Sequence, residues 1–305
     1  MNILLTGASG FLGSRIYQEL NKQHTITTLG RTLLENRHIR CDLAQDGPAL
    51  PIEGFDLVVH CAGKAHSIAR NVSERADYDR VNIQGTVHLL SALDKLSTLP
   101  QMFVHISTVL VYGHSEGQLL TEDTPLNATD PYGLSKVRTE AVVQAWASRT
   151  GVRLTILRLP LVIAEKSTGN VATMQTAIQH GYYVRIGNGM ARRSMVRADD
   201  VAVVIERAAD IGGTFNLTDG CHPTVRELEQ ALAQQVGRRI PVPVLSIALA
   251  KAIARVGDGL NAIAGRWFPF DSITLQKLTS SLTFSDEKAR QQLNWNPRSA
   301  LDVFA

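Results

Sequence analysis

The stretch Tyr132-Gly-Leu-Ser-Lys136 holds a phenol and an ammonium four residues apart. On a helix those positions share a face, so the two groups can meet. A free tyrosine titrates near pH ~10. A fixed cation beside it stabilises the phenolate and brings that value closer to neutral, which makes a usable proton donor or acceptor. The same spacing also occurs in helices that do no chemistry. Upstream, Val104-His-Ile-Ser-Thr-Val-Leu-Val-Tyr-Gly113 sets Ser107 and Thr108 at the end of an apolar run. A hydroxyl there can hydrogen-bond an alcohol or carbonyl as charge shifts during hydride transfer. The plain alternative is a pair of hydroxyls capping a turn.

The start of the chain could position such groups. A short apolar run, Ile3–Leu5, meets Gly7, Gly10 and Gly13, and Leu12, Ile16 and Leu20 then recur at helical spacing. That reads as strand, tight turn, helix. Glycine supplies positive φ and lets a pyrophosphate approach the backbone, while the helix N-terminus offers N–H groups and a favourable dipole. A close-packed turn with no ligand is the competing reading.

Further strands are expected at His24–Leu29, Arg37–Cys41, Phe55–His60, Met102–Ile106 and Arg153–Leu159. Helices are expected over Ser73–Leu96 and Pro131–Arg149. Near-continuous apolar strands alternating with helices predict an α/β fold, a parallel sheet covered on both faces. The pattern loosens beyond Pro160. Residues 1–160 are expected to form the dinucleotide-binding domain, and 161–305 a smaller, mainly helical substrate lobe with some segments returning to the sheet. In that lobe Thr224 and Glu227 form a capping-box signature.

Bulk properties exclude several classes. With 305 residues, 44% hydrophobic and 19% charged, the chain reads as an ordinary globular protein. A formal charge of +3 with no dense Lys/Arg tract gives no case for a nucleic-acid partner. Cys41, Cys61 and Cys221 lack metal-type spacing and are too few for a disulfide framework, so no metal is expected and Cys41 and Cys61 read as buried thiols. The glycine turn occupies the place of a hydrophobic leader, which reads as cytoplasmic. Leu96–Ser115 is interrupted by Pro100, His105 and Gly113; Val242–Ile263 carries Lys251, Arg255 and Asp258 and fits an amphipathic helix. Neither reads as a membrane span, and no membrane partner is expected.

Taken together, the motifs resemble the extended short-chain dehydrogenase/reductase family, the NAD-dependent epimerases and dehydratases, and in particular its nucleotide-sugar 4-epimerases and 4-ketoreductases. The resemblance runs through the glycine turn at 6–13, Asp42-Leu43, His60-Cys-Ala-Gly63 and Val81-Asn82-Ile-Gln-Gly-Thr86. It continues through Ser107-Thr108, Tyr112-Gly113, Tyr132-x-x-x-Lys136, Arg158-Leu-Pro160 and Arg193-Ser-Met-Val-Arg-Ala-Asp-Asp200. It implies a Rossmann-type doubly wound sheet. It also implies that Gly7, Gly10, Phe11, Leu12 and Gly13 hold the pyrophosphate of NAD or NADP. Asp42 and Leu43 would bracket the adenine, Ala62 and Gly63 line the cofactor, and Asn82 support the site from the long helix. Thr108, Tyr132 and Lys136 would be the catalytic set, with Tyr132 and Lys136 also contacting the cofactor and Pro160 meeting the nicotinamide carboxamide. Asn170 and Arg193 would grip the diphosphate of the nucleotide sugar; for Arg193, beside Arg192 and Arg197, a solvated basic face is the alternative. The resemblance further implies a homodimer through the two long helices.

Two departures narrow the reaction. Val109-Leu110 stand where the family's 4,6-dehydratases carry Asp-Glu, and aliphatic side chains cannot transfer protons. Dehydration is thereby disfavoured, leaving epimerisation, keto-sugar reduction or alcohol oxidation. No Asp or Glu lies between Thr25 and Leu34, and Arg31 follows the second strand. That choice leans towards NADP, whose 2′-phosphate an arginine can pair. The expected function is a nucleotide-sugar 4-epimerase, with an NADPH-dependent 4-keto-sugar reductase second and a non-enzymatic redox sensor third.

Overall fold

Ile3, Leu4 and Leu5 are all fully buried, although successive strand residues point to opposite faces. Both faces of their strand must therefore be covered. In the computed structural model, which describes residues 1–32, 37–65, 72–166, 168–237, 242–264, 268 and 270–304, they are. Ile3 and Leu5 join Leu57 and Val59 under Leu12, Ile16, Val201 and Ile205, whereas Leu4 joins Val58 and Phe103 under Leu89, Leu93, Val143 and Trp146.

In chain order the strands are β1 (Asn2–Thr6), β2 (Thr25–Gly30), β3 (His38–Arg40), β4 (Leu57–His60), β5 (Met102–Thr108), β6 (Gly117–Leu120) and β7 (Arg153–Leu159). Then come β8 (Leu161–Ile163), β9 (Arg185–Ile186), β10 (Met195–Arg197), β11 (Gly213–Asn216), β12 (Val244–Leu245) and β13 (Leu282–Phe284). The α-helices are α1 (Phe11–Leu20), α2 (Val72–Tyr78), α3 (Gly85–Leu93), α4 (Pro131–Thr150), α5 (Gly169–His180) and α6 (Ala198–Ile211). They continue as α7 (Val225–Gln235), α8 (Ile247–Ala264), α9 (Ser272–Thr279) and α10 (Glu287–Leu293).

The main sheet has the order β11-β7-β5-β4-β1-β2-β3, and every pairing in it is parallel. This is the Rossmann-type α/β fold that the sequence predicts. The order reverses between β1 and β4, and the crevice past the strand ends at such a reversal is where open α/β sheets bind ligands. β11 comes from beyond residue 160 and pairs with β7 from Gly213↔Thr155 to Asn216↔Arg158. The pairs β8–β10, β9–β12 and β6–β13 form small sheets around the same end.

Several elements differ from their expected bounds. The single helix expected over Ser73–Leu96 is α2, a π-helical segment Asp79–Gln84, and α3. The extra residue of the π turn rotates Asn82 inward, where it is 2% exposed. The amphipathic helix expected from Val242 begins at Ile247, because Val244–Leu245 extends to pair with β9. Cys41 and Cys61 are half-buried rather than buried, since each lies one residue past a strand end. The capping box of α7 is present in full.

Two histidines cross the sheet's centre. His60 bridges Thr6 Oγ1 and Thr86 Oγ1, each at 2.8 Å, and its ring lies 5.6 Å from that of His105. Neither nitrogen of His105 has a partner. Burial first, then the charge of Lys136, holds His60 down to about 3 and His105 well below its ordinary 6.5. The unfolded chain thus takes up protons that the folded chain refuses, and stability falls as pH drops below 6.5. Denaturant unfolding at a series of pH values is expected to show this fall, and His105→Leu to make it shallower.

Candidate active site

Three close approaches shape the turn after β1. Gly7 has φ +75° and packs so tightly that a Cβ there would lie 2.7 Å from the Ala62 nitrogen. At Gly13 a Cβ would lie 2.0 Å from the Gly7 carbonyl oxygen. Gly10 donates its N–H to that same oxygen at 2.9 Å and is the N-cap of α1, where no side chain caps the helix. The first N–H groups of α1 are left to an external acceptor, which fits a pyrophosphate. Phe11 and Leu12 form the opening turn.

The adjoining wall comes from β4. Cys61-Ala62-Gly63 continues past the strand, and a Cβ on Gly63 would lie 3.1 Å from Asn82 Oδ1 and 3.5 Å from Lys136 Nζ. Asn82 grips the next residue twice: Lys64 N–H donates to its Oδ1 at 2.7 Å and its amide donates to Lys64 O at 3.2 Å. The same amide donates to Ser135 Oγ at 2.8 Å. The π turn thereby ties the β4 loop to α4. Tyr78 and Ser135 are contributors that the motifs did not single out. Ser135 lies inside the tyrosine–lysine motif, and Tyr78 one helical turn before Asn82.

Helix α4 starts with Asp130 as N-cap, accepting from Gly133 N–H, and Pro131 in the first turn. Its buried face carries Lys136, Thr139, Glu140 and Val143. Lys136 Nζ donates to Ile106 O on β5 at 2.8 Å. Burial lowers its ammonium to about 8 against the pull of Cys61 and Glu140. The Tyr132 phenol is raised by burial, which outweighs its hydrogen bond to Thr108. The Tyr132 ring also packs against Tyr78, at 5.8 Å between centroids, and Lys64 Nζ sits 5.2 Å over Tyr78. Thr108, Tyr132 and Lys136 therefore form one cluster facing the Gly63 loop, with Thr108 and Lys136 buried and Tyr132 half-buried. The Thr108 hydroxyl works to lower the phenol, while Tyr78, Cys61 and Asp130 add to the rise.

Other expected residues take definite positions. Asp42 accepts from Ala44 N–H and Gln45 Nε2, closing a local turn, and Leu43 is buried against Gly85 with its carbonyl bonded to the His88 ring. Arg31 is exposed just past β2, where Gly30 leaves open space. Pro160 separates β7 from β8, and Asn170 is exposed in the first turn of α5. Arg193 donates to the carbonyls of Lys277 and Ser280 at the C-terminal end of α9. It thus satisfies helix carbonyls rather than forming a solvated face.

The sequence of residues 3–217 matches the model of the NAD dependent epimerase/dehydratase family. The chain belongs to this family. It is an NAD(P)-dependent enzyme. The N-acetyl-α-D-glucosaminyl-diphospho-ditrans,octacis-undecaprenol 4-epimerase of Escherichia coli O157:H7 is 27% identical over 300 residues, 94% of this chain and 88% of that one. A UDP-glucose 4-epimerase of Vibrio cholerae is 26% identical, over 98% and 92%. The fold is shared with the crystal structure of UDP-glucose 4-epimerase from Thermotoga maritima, solved with UDP-glucose, at TM-score 0.76 and 22% identity, over 100% of this chain and 96% of that one.

The 2.0 Å approach leaves no room for a side chain at Gly13. Gly13→Ala is expected to push α1 off the turn and weaken NAD(P) binding at least tenfold, measured by titration calorimetry or nicotinamide fluorescence.

Proposed function

We propose that this enzyme is a nucleotide-sugar 4-epimerase that works on the C4 hydroxyl of a diphosphate-linked hexose. The carrying observation is the Thr108–Tyr132 hydrogen bond beside the buried Lys136, flanked by Val109 and Leu110. That cluster offers one proton-transfer site and no acid–base pair for losing water.

Gly7, Gly10, Phe11, Leu12 and Gly13 would hold the dinucleotide's pyrophosphate, and Ala62, Gly63 and Pro160 would line its nicotinamide end. When bound, NAD(P) supplies the acceptor and donor of hydride. Tyr132 Oη takes the proton from the C4 hydroxyl and later returns it. Thr108 Oγ1 hydrogen-bonds the same sugar oxygen as its charge changes, in a site dry enough to strengthen that bond. Lys136 Nζ keeps a positive charge within reach of the phenolate. Asn170 and Arg193 would sit on the diphosphate side, for which Arg193 must give up a carbonyl of α9.

A second reading, a net 4-keto-sugar reductase using NADPH, is favoured by Arg31, whose exposed guanidinium stands where a ribose-binding carboxylate would otherwise be. Screening UDP- and dTDP-hexoses, their 4-keto derivatives and a polyprenyl-diphosphate hexose separates the two. Retained NAD+ with interconversion of epimers supports the epimerase, and stoichiometric NADPH consumption with only keto sugars replaces it. Arg31→Ala is expected to weaken NADPH binding by about tenfold or more while leaving NADH unchanged.

Tyr132→Phe removes the proton carrier and little else. It is expected to cut kcat by roughly 10²–10⁴-fold with cofactor affinity nearly intact. Steady-state kinetics beside direct cofactor binding checks this, and retention of most activity would sink the assignment.

A further inference from the structure

Helix α8 has its packed face where the protein is and an equally apolar face where the solvent is. Ala250, Ala254 and Gly257 are buried against Leu275, Ile186, Leu245 and Phe270, and a Cβ on Gly257 would lie 2.1 Å from the Phe270 carbonyl oxygen. Asn261 extends that inner stripe by bonding the Phe268 backbone in both directions. On the opposite side Leu249, Val256, Leu260 and Ile263 are exposed, by 53%, 62%, 37% and 87%. At 3.6 residues per turn these four share one sector with Ala248, Ala252 and Gly259. The whole outward sector lacks a charge or a hydrogen-bonding side chain.

The charges of α8 run along one flank of that sector. Lys251 and Arg255 are exposed, while Asp258 on the same flank is committed to the N–H and hydroxyl of Ser272 at the start of α9. Two cations against one carboxylate leave the flank net basic. α9, packed beside α8, adds exposed Ile273, Lys277 and Leu278. Among the described residues no helix is long and apolar enough to cross a membrane. An apolar stripe bordered by lysine and arginine instead fits a helix lying in the plane of an anionic bilayer surface.

We propose that α8 docks this enzyme on an anionic membrane surface. Leu249, Val256, Leu260 and Ile263 enter the boundary between headgroups and acyl chains, and Lys251 and Arg255 pair with lipid phosphates. This departs from the expectation of no membrane partner. An antiparallel two-fold pairing of two copies through the stripe would set the basic flank of one against the basic flank of the other, and like charges so placed cost affinity. The proposal stands apart from the choice of substrate, because it needs neither cofactor nor sugar.

The test is flotation of the full chain with vesicles of phosphatidylglycerol and phosphatidylcholine, against vesicles of phosphatidylcholine alone. Binding is expected on the anionic vesicles, weakened by salt and at least tenfold weaker without phosphatidylglycerol. Leu249→Ser with Val256→Ser and Ile263→Ser is expected to abolish it, with thermal melting unchanged because all three side chains are more than half exposed. Should that variant fold poorly, Lys251→Glu with Arg255→Glu leaves the stripe intact and is expected to lose the preference for anionic lipid. No flotation of the wild type, or binding indifferent to both variants, overturns the proposal. So does a wild-type oligomer that the triple variant dissociates while neither form binds vesicles; the occupant is then a second copy.

Discussion

One buried ion pair fixes the geometry of the Thr108–Tyr132–Lys136 cluster. Glu140 on α4 and Arg158 on β7 meet at 2.7 Å and 3.2 Å, with side chains 1% and 6% exposed. Glu140 lies one turn beyond Lys136 and also accepts from Ser107 Oγ at 2.5 Å, next to Thr108. Arg158 donates in addition to the Tyr112 hydroxyl and to Glu122 O, and Tyr112 donates to Asn216 on β11. Helix α4, strands β5, β7 and β11, and the turn after Thr108 are thus held to one another through two charges. Burying such charges is costly, and removing either partner strands the other at about 3–5 kcal/mol. What the pair contributes is register: it decides how far along β5 the tyrosine and lysine sit.

The β4 loop and helix α4 meet through glycine and asparagine. Gly63 leaves room for Asn82 and Lys136, and Asn82 holds the Lys64 backbone and Ser135 at once. A dinucleotide seated on the β4 loop would be placed relative to Tyr132 by these backbone contacts, without depending on a flexible side chain. The π turn makes this possible, since a regular helix would carry Asn82 past the loop.

Much of this was legible in the sequence. Apolar strands with turn glycines marked the main-sheet strands through Leu159, because fully buried parallel strands tolerate little else, whereas the half-exposed β6 lay in a stretch that reads as a polar loop. The tyrosine–lysine spacing placed both side chains on one side of α4, Lys136 buried and Tyr132 half-buried, and Ser107-Thr108 at the end of β5. The π turn was not legible, for its residues Asp79–Gln84 keep an ordinary helical pattern and the extra residue shows only in packing. Nor was the partner of Lys136, a backbone carbonyl that carries no sequence signature. The role of Arg193 as a cap on α9 depends on a helix more than eighty residues away. Periodicity in one segment cannot report what another segment presents to it.

The pairing of β11 with β7 carries a consequence for how the protein is made. As the polypeptide leaves the ribosome, Arg153–Leu159 emerges well before Gly213–Asn216. Until then β7 is bound to β5 on one side and bare on the other, an open edge of the kind that recruits foreign strands. Asn216, which receives the Tyr112 hydroxyl and bonds Glu122 and Leu120, is also missing. The nascent sheet therefore waits for α5 and α6 to be synthesised before its last strand can close. Translation and folding are coupled here by topology, and a stall before Gly213 leaves a sticky intermediate.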